Sequence, residues 1–119
     1  MYYIYVVKCS DNSLYTGTAK NLYDRIACHY YKKPQCAKYT KSHQVISLEG
    51  AWQTENKGDA LKLESFIKKL TKYQKLKLLK NPDLLNTKYG DCFLNNGREF
   101  IHITATLEEC INKKNKAET

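Results

Sequence analysis

The chain has 119 residues, 42% of them hydrophobic, and a formal net charge of +8. That length fits one small domain with one modest core. Its first residues, MYYIYVVKCS, alternate like a strand with no basic stretch ahead of an apolar one, and no apolar run is long enough to span a bilayer. A secretory leader and a membrane span are therefore not expected, and a cytoplasmic protein is.

In chain order, Tyr2 to Lys8 is rich in β-branched and aromatic residues and reads as a strand. Ser10, Asp11 and Asn12 form turns, and Ser13 to Thr18 reads as the return strand of a hairpin. Asn21 can cap a helix running to about Tyr31, with Leu22, Ile26, His29 and Tyr30 on one face. Residues 34–43 are polar and basic and read as a loop. Val45 to Trp52 reads as a third strand in which Gly50 marks a bulge or the end. Asp59 to Leu70 is a second amphipathic helix, and Thr71 with Gln74 fits a capping box opening a third, which Asn81-Pro82 stops. Arg98 to Thr104 is a candidate strand. Thr106 and Glu109 fit another capping box before a short helix with Leu107, Cys110 and Ile111 inward. The order predicts an α+β fold: a small three-stranded antiparallel sheet flanked by helices over residues 1–80, with a short β-α extension over 81–119 packed on it.

The five cysteines are odd in number and contain no C-x-x-C. Cys28, His29, Cys36 and His43 match no standard zinc spacing, so buried, reduced thiols are the expected state.

Tyr3-Ile4-Tyr5, followed ten residues on by Tyr15-Thr16-Gly17, resembles the paired motif of the GIY-YIG nuclease superfamily. Arg25 and His29 on the next helix and Glu64 on a later one stand in that family's order. The resemblance covers about residues 1–80 and is strongest to small stand-alone bacterial members, through the Ala37-Lys38-Tyr39-Thr40 loop, Ile67-Lys68 and Lys75. Three positions depart from the pattern: Tyr3 replaces the first Gly, Thr18 stands where some relatives carry Lys, and the Asn some carry after the metal Glu has no counterpart. The resemblance implies an endonuclease that hydrolyses DNA phosphodiester bonds in repair or recombination, with Mg²⁺ or Mn²⁺ on Glu64 and a tyrosine as general base. The alternative is a non-catalytic nucleic-acid-binding module on the same fold.

The chemistry asks for the same residue types. Cutting a phosphodiester needs a deprotonated nucleophile and countercharge for the pentavalent phosphorane. Glu64 falls at the border of an apolar helix stripe, on the rim of the core, where one carboxylate can hold a divalent ion that keeps several waters; read from spacing alone it is an ordinary helix Glu. Arg25, one turn from His29, can grip two phosphate oxygens, or can snorkel at the core margin. Arg25 and Arg98 are the only arginines among 20 basic residues. If the hairpin loop is centred on Asp11, Tyr5 faces Gly17 and Tyr15 is its diagonal neighbour on the same face. Gly17 then leaves room for a phenol or a phosphate, and an even-membered loop would separate the tyrosines. Arg25 and a metal would lower a phenol's pKa, and which tyrosine takes the proton stays open. His29 either orients the nucleophile, touches the phosphate, or is a structural residue of a half-buried helix.

Residues 1–80 carry 15 Lys and Arg against 6 Asp and Glu, whereas residues 81–119 carry 5 against 6. That asymmetry suits a polyanion-binding surface on the first unit. Lys32, Lys33, Lys38 and Lys41, interleaved with Tyr30, Tyr31 and Tyr39, are the expected binding residues, with Gly17 beside them. No helix-turn-helix or zinc-finger signature is present, so contacts should fall mainly on the backbone and any selectivity on DNA structure. The residues do not separate DNA from RNA. The extension could serve a homodimer or a protein partner.

Overall fold

A computed structural model describes residues 1–32, 42–85 and 100–118, with side chains to residue 112. Lys33, Lys38, Tyr39, Lys41 and Arg98 lie outside the described residues.

Strands β1 (Tyr2–Cys9) and β2 (Leu14–Ala19) form the expected hairpin. Its register pairs Tyr5 with Gly17 and Val7 with Tyr15, which centres the loop on Asp11. The loop closes through Cys9 N–H to Ser13 C=O at 2.9 Å and Asn12 N–H to Cys9 C=O at 2.9 Å. Asn12 turns the chain at φ 70°, a left-handed conformation that Asn tolerates. The Asp11 carboxylate accepts from the Ser13 hydroxyl at 2.5 Å and backbone N–H at 3.1 Å. These bonds hold the Asp11 pKa below its ordinary value.

Strand β3 (Val45–Thr54) runs antiparallel to β1 and continues two residues past Trp52. Gly50 does not end it. The register slips between Val6 and Val7, which pair with Gly50 and Leu48, so a bulge absorbs the irregularity. A two-residue strand β4 (Ile101–His102) adds to the outer side of β3 and gives the order β2-β1-β3-β4. The fold is therefore α+β, with the expected three-stranded sheet extended by a short fourth strand from the C-terminal segment.

Alternation along β1 feeds two cores, one on each face of the sheet. Ile4 and Val6 point to one face with Trp52, where Ala60, Leu63 and Ile67 of α2 (Lys57–Lys69) and Leu78 of α3 (Lys72–Lys80) cover them. Tyr5 and Val7 point to the other, covered by Leu22 and Ile26 of α1 (Leu22–Tyr30) and by Leu107 and Cys110 of α4 (Leu107–Glu118). The helices start where their caps place them. Asn21 Oδ1 accepts from Asp24 N–H at 3.1 Å, and Asn56 Oδ1 from Asp59 N–H at 3.0 Å, which starts α2 two residues earlier than its apolar stripe suggests. Thr71 and Gln74 make the reciprocal capping box of α3, and Thr106 caps α4 through Glu109 N–H at 3.1 Å.

Cys9 and Cys110 are buried and form no disulfide. Cys28 is disulfide-bonded, against the expectation of reduced thiols. Pairing depends on which sulfurs the fold brings within bridging distance, and cysteine spacing does not carry that information.

Candidate active site around Tyr5 and His29

The site is built on the α1 face of the hairpin. Tyr5 occupies the middle of β1, an inner strand, and is 1% exposed. Its ring lies over Gly17, where an added Cβ would stand 2.5 Å from the phenol oxygen and 2.7 Å from Cζ. Gly17 is required because the phenol fills the space a side chain would take. The room expected there for a phenol or a phosphate is taken by the phenol.

Helix α1 then brings His29 to the same phenol, with Tyr5 Oη and His29 Nε2 2.5 Å apart. Tyr15 closes the third side, its ring centroid 6.5 Å from Tyr5 and 5.5 Å from His29. Arg25, one turn before His29, hydrogen-bonds the Tyr5 phenol through its guanidinium. A guanidinium only donates, so the Tyr5 oxygen accepts from it, and the phenol proton is available to Nε2 of His29 in the tautomer that carries its hydrogen on Nδ1. Glu64 comes from α2, which packs against β2 from the other face of the sheet. Its carboxylate acts electrostatically on both Tyr5 and Tyr15. The Glu64 side chain is 23% exposed, and Lys68 one turn on lies 3.9 Å from it. The carboxylate thus sits at the rim of the core, partly open to water, as its place in the apolar stripe suggests.

Burial sets the protonation states here. It pushes the Tyr5 pKa well above the ordinary phenol value, and the hydrogen bond and positive field of Arg25 act the other way without offsetting it. Tyr15 is raised for the same first reason. The expected lowering by Arg25 is real in direction but smaller than desolvation. His29 is fully buried, and burial, then the charge of Arg25, lower its pKa to about 4. At neutral pH the site therefore holds a neutral phenol hydrogen-bonded to a neutral imidazole. His29 contacts the phenol and not solvent.

Beside Arg25 a shallow hollow of about 350 Å³ opens between the end of β2 and the start of α1, lined by Thr18, Lys20, Asn21 and Asp24. Lys20 and Arg25 make it cationic, with Asp24 as the one carboxylate. Of the expected binding residues, Lys32 is exposed just past α1, at φ 55°. Sequence reasoning paired Arg25 with His29 and missed the Tyr5–His29 bond. The signal for it was the hairpin register, which places Tyr5 under the helix.

Among the described residues no group of three or more His, Cys, Asp or Glu side chains is placed to hold a metal ion. Glu64 offers a single carboxylate, a hard oxygen donor, at the rim of the site. That donor set suits a Mg²⁺-like ion that keeps most of its waters and takes further oxygens from a substrate, and does not suit a closed zinc cage.

A hairpin of paired tyrosines over a glycine, an Arg–His helix face beside it and a carboxylate from the opposite layer define a GIY-YIG domain. The family model described as the GIY-YIG catalytic domain matches residues 1–77, and the chain belongs to that family. It is similar to a UPF0213 protein of Fusobacterium nucleatum, 42% identical over 82 residues that cover 69% of this chain and 80% of the relative. It is also similar to a UPF0213 protein of Staphylococcus aureus, 44% identical over 79 residues that cover 66% of this chain and 94% of the relative. No solved structure matches the chain. Among the described residues no helix is long and apolar enough to cross a membrane.

Proposed function

We propose that this chain is a metal-dependent endonuclease that hydrolyses DNA phosphodiester bonds, acting through backbone contacts in DNA repair or recombination with selectivity for DNA structure. The observation that carries the reading is the Tyr5–His29 hydrogen bond at 2.5 Å, with Arg25 on the same phenol. A buried phenol needs one hydrogen-bond partner, and a second, charged donor on the same oxygen goes beyond what packing asks for.

Arg25 and Lys20 would seat the scissile phosphate in the cationic hollow beside the phenol. As the water attacks, its proton passes to the Tyr5 oxygen while the Tyr5 proton passes to Nε2 of His29. No free phenolate forms, so the raised phenol pKa is no obstacle. The phosphate, once paired with Arg25, offsets the smaller of the two causes that hold the His29 pKa down and makes the imidazole a better acceptor. Tyr15, half-buried beside both rings, orders the water and shields the phenol from bulk solvent. Glu64 would hold Mg²⁺ or Mn²⁺, which supplies countercharge for the developing phosphorane.

A supercoiled-plasmid nicking assay with Mg²⁺ and with Mn²⁺ tests the proposal, with wild type beside Glu64→Ala and Arg25→Ala, all checked for folding. Wild type should nick, and each variant should lose about 100-fold or more. Absence of metal-dependent nicking by folded wild type, or equal nicking by all three, would sink it.

A further inference from the structure

A second cavity of about 350 Å³ adjoins the cationic hollow, and Lys20 and Asn21 line both. Its walls differ in kind. Tyr3, Leu22, Tyr23 and Ile103 are aromatic or apolar, Asn21 and Gln53 supply amides, and Lys20 is the one charge. Tyr3 and Gln53 are direct partners across β1 and β3, so the ring and the amide stand side by side on the α1 face. The Asn21 oxygen is occupied by its cap bond to Asp24 N–H, which leaves its NH₂ to donate. Tyr3 is the residue that stands where the motif's name has a glycine, and its ring forms part of the wall that a glycine would leave open.

We propose that this cavity takes one unpaired nucleobase of the DNA, next to a phosphate held by Lys20 and Arg25. The inference rests on the nuclease reading and deepens it. A base and its own phosphate are joined through one sugar, and two hollows that share Lys20 and Asn21 match that linkage. The ligand the walls suit is flat, apolar on its faces and polar at its edge. A base within a duplex has both faces covered by its neighbours and cannot enter. An extrahelical or single-stranded base offers its faces to Tyr3 and Tyr23 and its edge to Gln53 and Asn21. The cavity would therefore direct cleavage to DNA carrying an unpaired nucleotide.

The test is equilibrium binding, by fluorescence polarisation in EDTA, to three labelled duplexes of one sequence. One is fully paired, one carries a single extrahelical adenosine, and one carries an abasic residue at that extrahelical position. Wild type should prefer the adenosine bulge over both others by about fivefold or more, the low end of base stacking on an aromatic ring. Tyr3→Ala should bring that ratio to about one, and Tyr3→Phe, which keeps the ring, should retain it. Gln53→Ala, on the neighbouring strand, should reduce the ratio independently should Tyr3→Ala not fold. Equal affinity for the bulged adenosine and the bulged abasic site would overturn the proposal. Wild type that nicks plasmid yet shows no preference removes the base pocket alone. Wild type that neither binds any duplex nor nicks plasmid removes the nuclease reading, and the pocket with it.

Discussion

Replacing Gly17 by Ala tests the packing of the site most directly. The added Cβ would stand 2.5 Å from the Tyr5 oxygen and 2.7 Å from Cζ, far inside van der Waals contact. To regain ordinary contact the end of the ring must retreat by about 1 Å. It has little freedom to do so, since Tyr5 is 1% exposed and its oxygen is bound to His29 at 2.5 Å. Overpacking of this kind costs about 1–3 kcal/mol. Strain or loss of the buried hydrogen bond adds about 1 kcal/mol or more. Urea denaturation should therefore show Gly17→Ala less stable by roughly 2–4 kcal/mol, read as a lower midpoint at unchanged slope. A misplacement of about 1 Å also costs about 100-fold in rate, to be read by plasmid nicking of the fraction that stays folded. Adding Tyr5→Phe should recover part of the stability, because it removes the oxygen that is the nearer clash, while Cζ keeps the recovery incomplete. The reasoning is refuted if Gly17→Ala keeps wild-type stability within about 0.5 kcal/mol, a value ordinary for surface substitutions, and nicks as wild type does.

Burial of His29 makes stability pH-dependent with a definite sign. Its pKa is about 4 in the fold against 6.5 for the free side chain, so the unfolded chain binds the proton first as pH falls. This contribution is constant above about pH 6.5, declines between there and about pH 4 and then levels, by roughly 3 kcal/mol in all. His29→Gln should flatten that window, and denaturation midpoints that track wild type from pH 7 to pH 4 would contradict it. Thr71→Ala breaks the capping box of α3 and should cost about 1 kcal/mol in thermal or urea unfolding without altering the tyrosine cluster. Arg25→Lys keeps the charge and loses the two-pronged grip on phosphate, so nicking should fall by about tenfold or more while the fold is kept. Unchanged nicking would remove Arg25 from the phosphate.

Much of the frame was legible in the sequence because it is written locally. Alternation in Tyr2–Cys9 gives a strand buried on both faces, and the cap residues Asn21, Thr71 and Thr106 give helix starts that the structure reproduces. The order of Tyr5, Tyr15, Gly17, Arg25, His29 and Glu64 was enough to identify the family. The full extent of β3 was harder, because a bulge beside Gly50 hides its continuation to Thr54 from any fixed period.

What the residues do to one another was decided only in three dimensions. Both an odd and an even hairpin loop fit the sequence, and the structure selects the one centred on Asp11, which puts Tyr5 over Gly17 and under His29. Arg25 alone argues for a more acidic phenol, yet burial beneath α1 outweighs it and leaves Tyr5 harder to ionise. Desolvation depends on everything that covers a group, and those residues come from distant parts of the chain. Local patterning therefore determined which elements form and which side chains face the core, whereas packing decided which of those side chains hydrogen-bond one another.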